Sequence, residues 1–285
     1  MATCVMGMHR SGTSMVTGML AGCGLQVGPD HELLGPSSEN PTGYFERRAM
    51  VLVDDAVLDV LGLAWDHVPH RPAPGWLDDP RLEQLHQQAR QVVETWPPGT
   101  TWGFKDPRAS LLLPLWERGA GGAPFDCVVC VRNPLDVAAS LARRGGMSAR
   151  LALQLWHAYT DCALALARER RHVVTHYDSY FESATEELDR VCTAIGLTPS
   201  ATQLAAAAEL GDSRHRHGSS GLAALVRSSA SDEVVALYME ALAAAGPVMA
   251  RVAARDELSV EDDGEPFDRA ETVAWVREFR AELRQ

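Results

Sequence analysis

The chain has 285 residues, 46% of them hydrophobic, and a formal net charge of −12. That length and apolar content can fill the core of one α/β domain, and the negative balance argues against nucleic acid as the main partner. No apolar run reaches the length of a membrane span, and the first residues read as a strand rather than a signal peptide, so a cytoplasmic enzyme is expected.

In chain order, residues 3–6 predict a short buried strand and residues 14–21 a helix ending at Gly22 and Gly24. Between them lies Gly7-Met-His-Arg-Ser-Gly-Thr-Ser14. It has the glycine spacing of a phosphate loop, but Thr13 stands where a nucleotide triphosphatase has lysine. Residues 26–44, rich in Gly, Pro, Ser and Asn, predict an irregular excursion over the C-terminal edge of a sheet. Met50, Val53, Val57 and Leu61 are spaced as one face of a helix, residues 81–95 give a second helix, and residues 101–104 a strand with Lys105 at its end. Residues 126–131 are the clearest strand. Arg132 follows it, and Asn133-Pro134 opens a helix through Arg143. A helix over 151–167, a strand over 172–176 and a helix over 185–195 come next.

Beyond residue 201 the pattern is alanine-rich helix. Residues 255–263 read as an acidic connector, and Val273, Val276, Phe279 and Leu283 form an apolar stripe on a last helix. This divides the chain into a main domain, 1–254, and a tail, 255–285, whose stripe suits docking on the chain's own core or homodimer pairing through helical segments. Alternating strand and helix predicts a three-layer, mostly parallel, doubly wound sheet. Ligands then belong at the carboxyl ends of the strands, where the loop, Lys105, Arg132 and Tyr177 all fall. The six cysteines lie mostly in apolar runs. Cys127 and Cys130 mimic a metal or redox motif, but residues three apart on a strand face opposite sides, so buried thiols and no metal are expected.

Lys105 is the single lysine among 26 Lys+Arg. A chain that otherwise uses arginine keeps an ammonium where a compact point charge is needed and a planar fork does not fit. Strand, glycines, hydroxyls and helix in this order make an anion nest whose cation arrives from a second strand. After residues 126–131 stands Arg132 rather than an aspartate placed for magnesium, which disfavours metal-assisted phosphoryl transfer. Two other readings stay open: a P-loop nucleotide kinase-like phosphotransferase using Lys105 as a displaced lysine, and a non-catalytic nucleotide-binding partner protein.

Residues 9–14, His-Arg-Ser-Gly-Thr-Ser, resemble the 5′-phosphosulfate loop of the sulfotransferases that use 3′-phosphoadenosine-5′-phosphosulfate (PAPS), of bacterial type. Arg132 and Ser140, eight residues apart, are similar to that family's 3′-phosphate element, Lys105-Asp-Pro to its lysine-bearing strand end, and Tyr177 to its adenine-contacting tyrosine. The resemblance implies a P-loop-like fold and sulfuryl transfer from PAPS, without metal, to an acceptor hydroxyl on a carbohydrate, glycoside or small natural product. It implies donor contacts from Arg10, Ser11, Gly12, Thr13, Ser14, Lys105, Arg132, Ser140 and Tyr177, with Arg214 and Arg216 closing over the 3′-phosphate. Arg10 and Lys105 would face the sulfuryl group. Candidates for the base that takes the acceptor's proton are His31, Glu32, Glu39 and Glu46. Glu46 is favoured because it opens a helix where the chain returns to the scaffold, and Glu32 is second. Trp65 and Trp76 are expected to line the acceptor's face.

Overall fold

The computed structural model describes residues 2–37, 43–67, 71–97, 99–211, 218–258 and 267–283. Among them, four parallel strands, β1 (Ala2–Met6), β2 (Trp102–Lys105), β3 (Asp126–Val131) and β4 (His172–His176), form one sheet in the order β2-β1-β3-β4. Alternation along the strands divides the core. Cys4, Met6, Phe104, Cys127, Val129 and Val131 enter one apolar cluster, and Val5, Val128 and Cys130 enter the other. Strands apolar on both faces need a helical layer on each side, and the chain supplies both. Helices α1 (Thr13–Gly22), α7 (Ser179–Ala194) and α8 (Ala201–Ala208) cover one face. The larger layer holds α2 (Arg48–Val60), α3 (Glu83–Glu94), α4 (Ala109–Gly119), α5 (Pro134–Gly145) and α6 (Ala149–Arg168). It also holds α9 (Leu222–Arg227), α10 (Asp232–Ala244), α11 (Gly246–Ala253) and α12 (Arg269–Glu282). The expected three-layer α/β architecture is therefore observed. Cys127 and Cys130 sit on opposite faces of β3, and all six cysteines are free.

Three expectations change. Residues 109–119, passed over in the sequence, form α4, which contains Pro114 and is buried over most of its length. The excursion after α1 does not simply overhang the sheet. Gln26 pairs in parallel with Trp102, its carbonyl accepting from Gly103 N at 2.9 Å, so the chain runs up the free edge of β2 and covers it. Leu33 then bridges Arg47, and Leu34 N donates to the Glu46 carbonyl at 2.8 Å, so Glu46 lies on a paired segment two residues before α2 instead of opening the helix. Finally, α7 begins at Ser179, earlier than residue 185, and bends where Ser183 leaves helical geometry (φ −153°, ψ 80°).

Candidate active site

Four strand ends and two helices, α1 and α5, build the site. The loop after β1 needs glycine twice. Gly7 has φ 140°, and a Cβ there would lie 2.2 Å from the Cys130 carbonyl oxygen; at Gly12, φ 87°, it would lie 2.5 Å from the Tyr177 ring. Arg10 is also left-handed, φ 71°, a conformation a side-chain-bearing residue holds only when its surroundings impose it. Gly7 N donates to Ser110 Oγ at 3.0 Å, fixing the loop's start on the first turn of α4. No side chain caps α1, so its first N–H groups and positive dipole end are available to an anion. Ser11 Oγ is buried in the same loop without a hydrogen-bond partner. Ser14 Oγ donates to the Tyr44 carbonyl at 3.3 Å, and Thr13 begins the helix.

Arg10 Nε donates to Ser140 Oγ at 2.9 Å, and Arg132 Nη1 to the Arg10 carbonyl at 3.4 Å. The Arg132 guanidinium lies 4.2 Å from the centroid of the Tyr177 ring. Asn133 caps α5 by accepting from Leu135 N at 2.9 Å, with Pro134 as the first helical residue, so the helix that carries Ser140 starts directly after Arg132. Thus Arg10, Gly12, Arg132, Ser140 and Tyr177, drawn from four segments, come together.

On the other side of β1, Val5 is level with Lys105, which places the lysine beside the base of the loop. Lys105 is 3% exposed and its ammonium pairs with the Glu46 carboxylate, itself 6% exposed. Arg108 braces this corner: its N–H and Nη1 donate to Asp106 Oδ1 at 2.8 and 3.0 Å, and Nε to Asp55 Oδ1 at 2.6 Å. Burial pushes the Asp106 carboxyl up, and that of Asp54 well above the usual carboxylate range although Trp116 Nε1 donates to it at 2.9 Å.

Glu32 is drawn away from this group. Its carboxylate pairs with Arg47, whose guanidinium also donates to Thr95 Oγ1 at 3.1 Å and lies 4.9 Å from the Trp96 ring centroid. These residues line a cleft of about 590 Å³ along the β2 edge, outside the Lys105 corner. His31 belongs to the same short 3-10 turn as Glu32. Glu39, Arg214 and Arg216 lie outside the described residues. The chain flanking the last two is fixed at both ends: a Cβ on Gly211 would lie 2.8 Å from Met19 of α1, while Ser220 N and Oγ donate to Asp136 of α5.

Sequence reasoning missed His9. Its ring packs 4.5 Å from that of Trp65 and 5.9 Å from that of Tyr159, and Tyr159 OH donates to the Trp65 carbonyl at 3.1 Å. Desolvation, then the charges of Arg108, Lys105, Arg144 and Arg10, hold its pKa well below 6.5, so the imidazole is neutral at pH 7. Only its place in the loop hinted at this. Trp76, expected beside Trp65, instead joins a 3-10 turn (Trp76–Asp78) tied to the far end of α4, where Arg118 Nη1 donates to the Leu77 carbonyl at 2.7 Å.

No family model and no curated protein matches the chain. Among solved structures it is similar to the sulfotransferase STF9 from Mycobacterium avium, at 18% identity, with 77% of this chain and 69% of that chain covered and a TM-score of 0.45. At that level of likeness the chemistry of the site has to carry any functional conclusion.

Proposed function

We propose that this protein is a sulfotransferase, transferring a sulfuryl group from PAPS to an acceptor hydroxyl. The observation that carries this reading is a phosphate loop whose lysine comes from a second strand, Lys105 on β2, and is buried against a carboxylate, Glu46. The donor set suits a nucleotide phosphorylated at both ends. The uncapped helix, the Ser11 hydroxyl and Arg10 would take the 5′ end; Arg132 with Ser140 would take a terminal phosphate, which a guanidinium grips in a fork. Tyr177 would border the base.

When bound, PAPS supplies a sulfuryl group already activated by its phosphate leaving group. Lys105 and Arg10 would stabilise the charge that develops on the departing oxygen. Lys105, drawn to the donor's anionic end, would loosen its pair with Glu46, and the Glu46 carboxylate would then accept the hydroxyl's proton. Glu32, held by Arg47, is the weaker choice of base. A metal-dependent kinase would set an acid at the end of β3, where this chain has Arg132.

Transfer of labelled sulfate from PAPS to a hydroxyl acceptor tests the reading. Lys105→Ala should lower kcat by about 10²–10³, the cost of one preorganised donor. Because it also strands the Glu46 charge, the variant's fold is checked by circular dichroism. Full activity in Lys105→Ala, or no transfer by the wild type to any of a broad panel of hydroxyl compounds, would contradict it.

A further inference from the structure

We propose that the turn joining α5 to α6 forms a cationic rim over the Trp65 ring, and that the acceptor is an anionic ring-bearing alcohol of the uronic acid glycoside class. This rests on the sulfotransferase reading and names the substrate for the same site. The turn carries Arg143, Arg144 and Arg150, all exposed, in a chain whose net charge is −12. Most exposed arginines elsewhere are spent on carboxylates, Arg71 on Asp161, Arg227 on Glu257, Arg251 on Glu186 and Arg255 on Glu182, although exposed Arg48 and Arg90 stand singly without an ion pair among the described residues. Among the described residues Arg143 and Arg150 have no ion-pair partner.

Helix stability explains only part of this cluster. Arg143 and Arg144 lie in the last turn of α5, where a cation is favoured. Arg150 lies in the first turn of α6, just after the Ser148 cap, where the dipole opposes it, so folding gains nothing from its charge there.

Placement puts the turn on the ligand side. The α6 helix descends toward the start of β4, and Trp156 Nε1, less than two turns past Arg150, donates to the Arg132 carbonyl at 3.0 Å. Arg150 therefore stands beyond the strand ends. Arg144 follows Ser140 by one helical turn on the same face, and Ser140 accepts from Arg10 of the loop. Its charge also acts on His9, which packs on Trp65. The half-buried Trp65 indole and the neutral His9 imidazole thus lie within reach of the Arg144 and Lys105 charges, with Arg143 and Arg150 on the same turn as Arg144. An indole face suits the apolar side of a sugar ring, and a cationic rim suits a carboxylate on that ring.

The test is binding to the full-length protein saturated with adenosine 3′,5′-bisphosphate, read by calorimetry, of p-nitrophenyl β-glucuronide against p-nitrophenyl β-glucoside. At about 50 mM salt the glucuronide should bind about fivefold tighter, and the preference should collapse at about 1 M salt and in the Arg143→Ala/Arg150→Ala double variant. Equal affinities, no binding of either glycoside, or a preference that survives the double variant would overturn the rim. Thermal stabilisation by the bisphosphate in the same samples reports on the donor site alone. Its absence would count against the sulfotransferase reading itself.

Discussion

His9 makes the sharpest thermodynamic demand of any side chain in the loop. Its folded pKa lies well below 6.5, its ordinary value, so between the two the unfolded chain binds the extra proton. Stability is complete above about pH 6.5 and falls as the pH drops below that value. Replacing His9 by Phe, which keeps a ring against Trp65 and Tyr159, should flatten the acid limb of a urea-denaturation profile; an unchanged limb would mean that His9 is not buried neutral. Little of this was visible in the sequence, because apart from neighbouring Arg10 the charges acting on His9 come from the end of β2, the residue capping α4 and the last turn of α5. The same holds for the Arg10–Ser140 bond, which joins residues 130 positions apart. What was legible was the type and order of the strand-end residues.

The last helix shows how far an apolar stripe can be read. The stripe identified α12 and offered two partners, its own core or another chain. Val276 is fully buried in the core beside α10, and Phe279 packs against it, while Trp275 and Leu283 stay exposed. The added grip is polar: Arg280 Nε donates to the Val226 carbonyl at 2.8 Å, and Nη1 to the Ala230 carbonyl at 2.7 Å and Asp232 Oδ1 at 2.6 Å. Arg280→Ala should cost about 2 kcal/mol in chemical denaturation, because it leaves these acceptors unpaired. Exposed Arg277, which reaches Asp232 at 3.5 Å, should cost under about 0.5 kcal/mol when replaced. Similar losses for both would show that the clamp on the carbonyls adds nothing. The α4 helix escaped prediction for the opposite reason. It is buried over most of its length, and Pro114, in its middle, reads locally as a break.

For the whole molecule, the strand order follows from ordinary rules: short buried strands, helical crossovers, and a phosphate loop after β1, where the chain passes from β2 on one side to β3 on the other. The sequence carried that much because strands buried on both faces are continuous apolar runs. It could not show that Glu46 meets Lys105 while Glu32 turns to Arg47, since both carboxylates sit on one irregular segment and tertiary contacts decide between them. The net charge of −12 is compatible with an anionic ligand because Arg10, Lys105 and Arg132 are gathered at the strand ends.

The most direct measurement is thermal stabilisation by adenosine 3′,5′-bisphosphate compared with adenosine 5′-monophosphate. A site that grips both ends of the nucleotide predicts a clearly larger rise in Tm for the bisphosphate, with the difference lost in Arg132→Ala. Equal shifts for the two nucleotides, or a preference that Arg132→Ala leaves intact, would contradict a 3′-phosphate site built on Arg132 and Ser140.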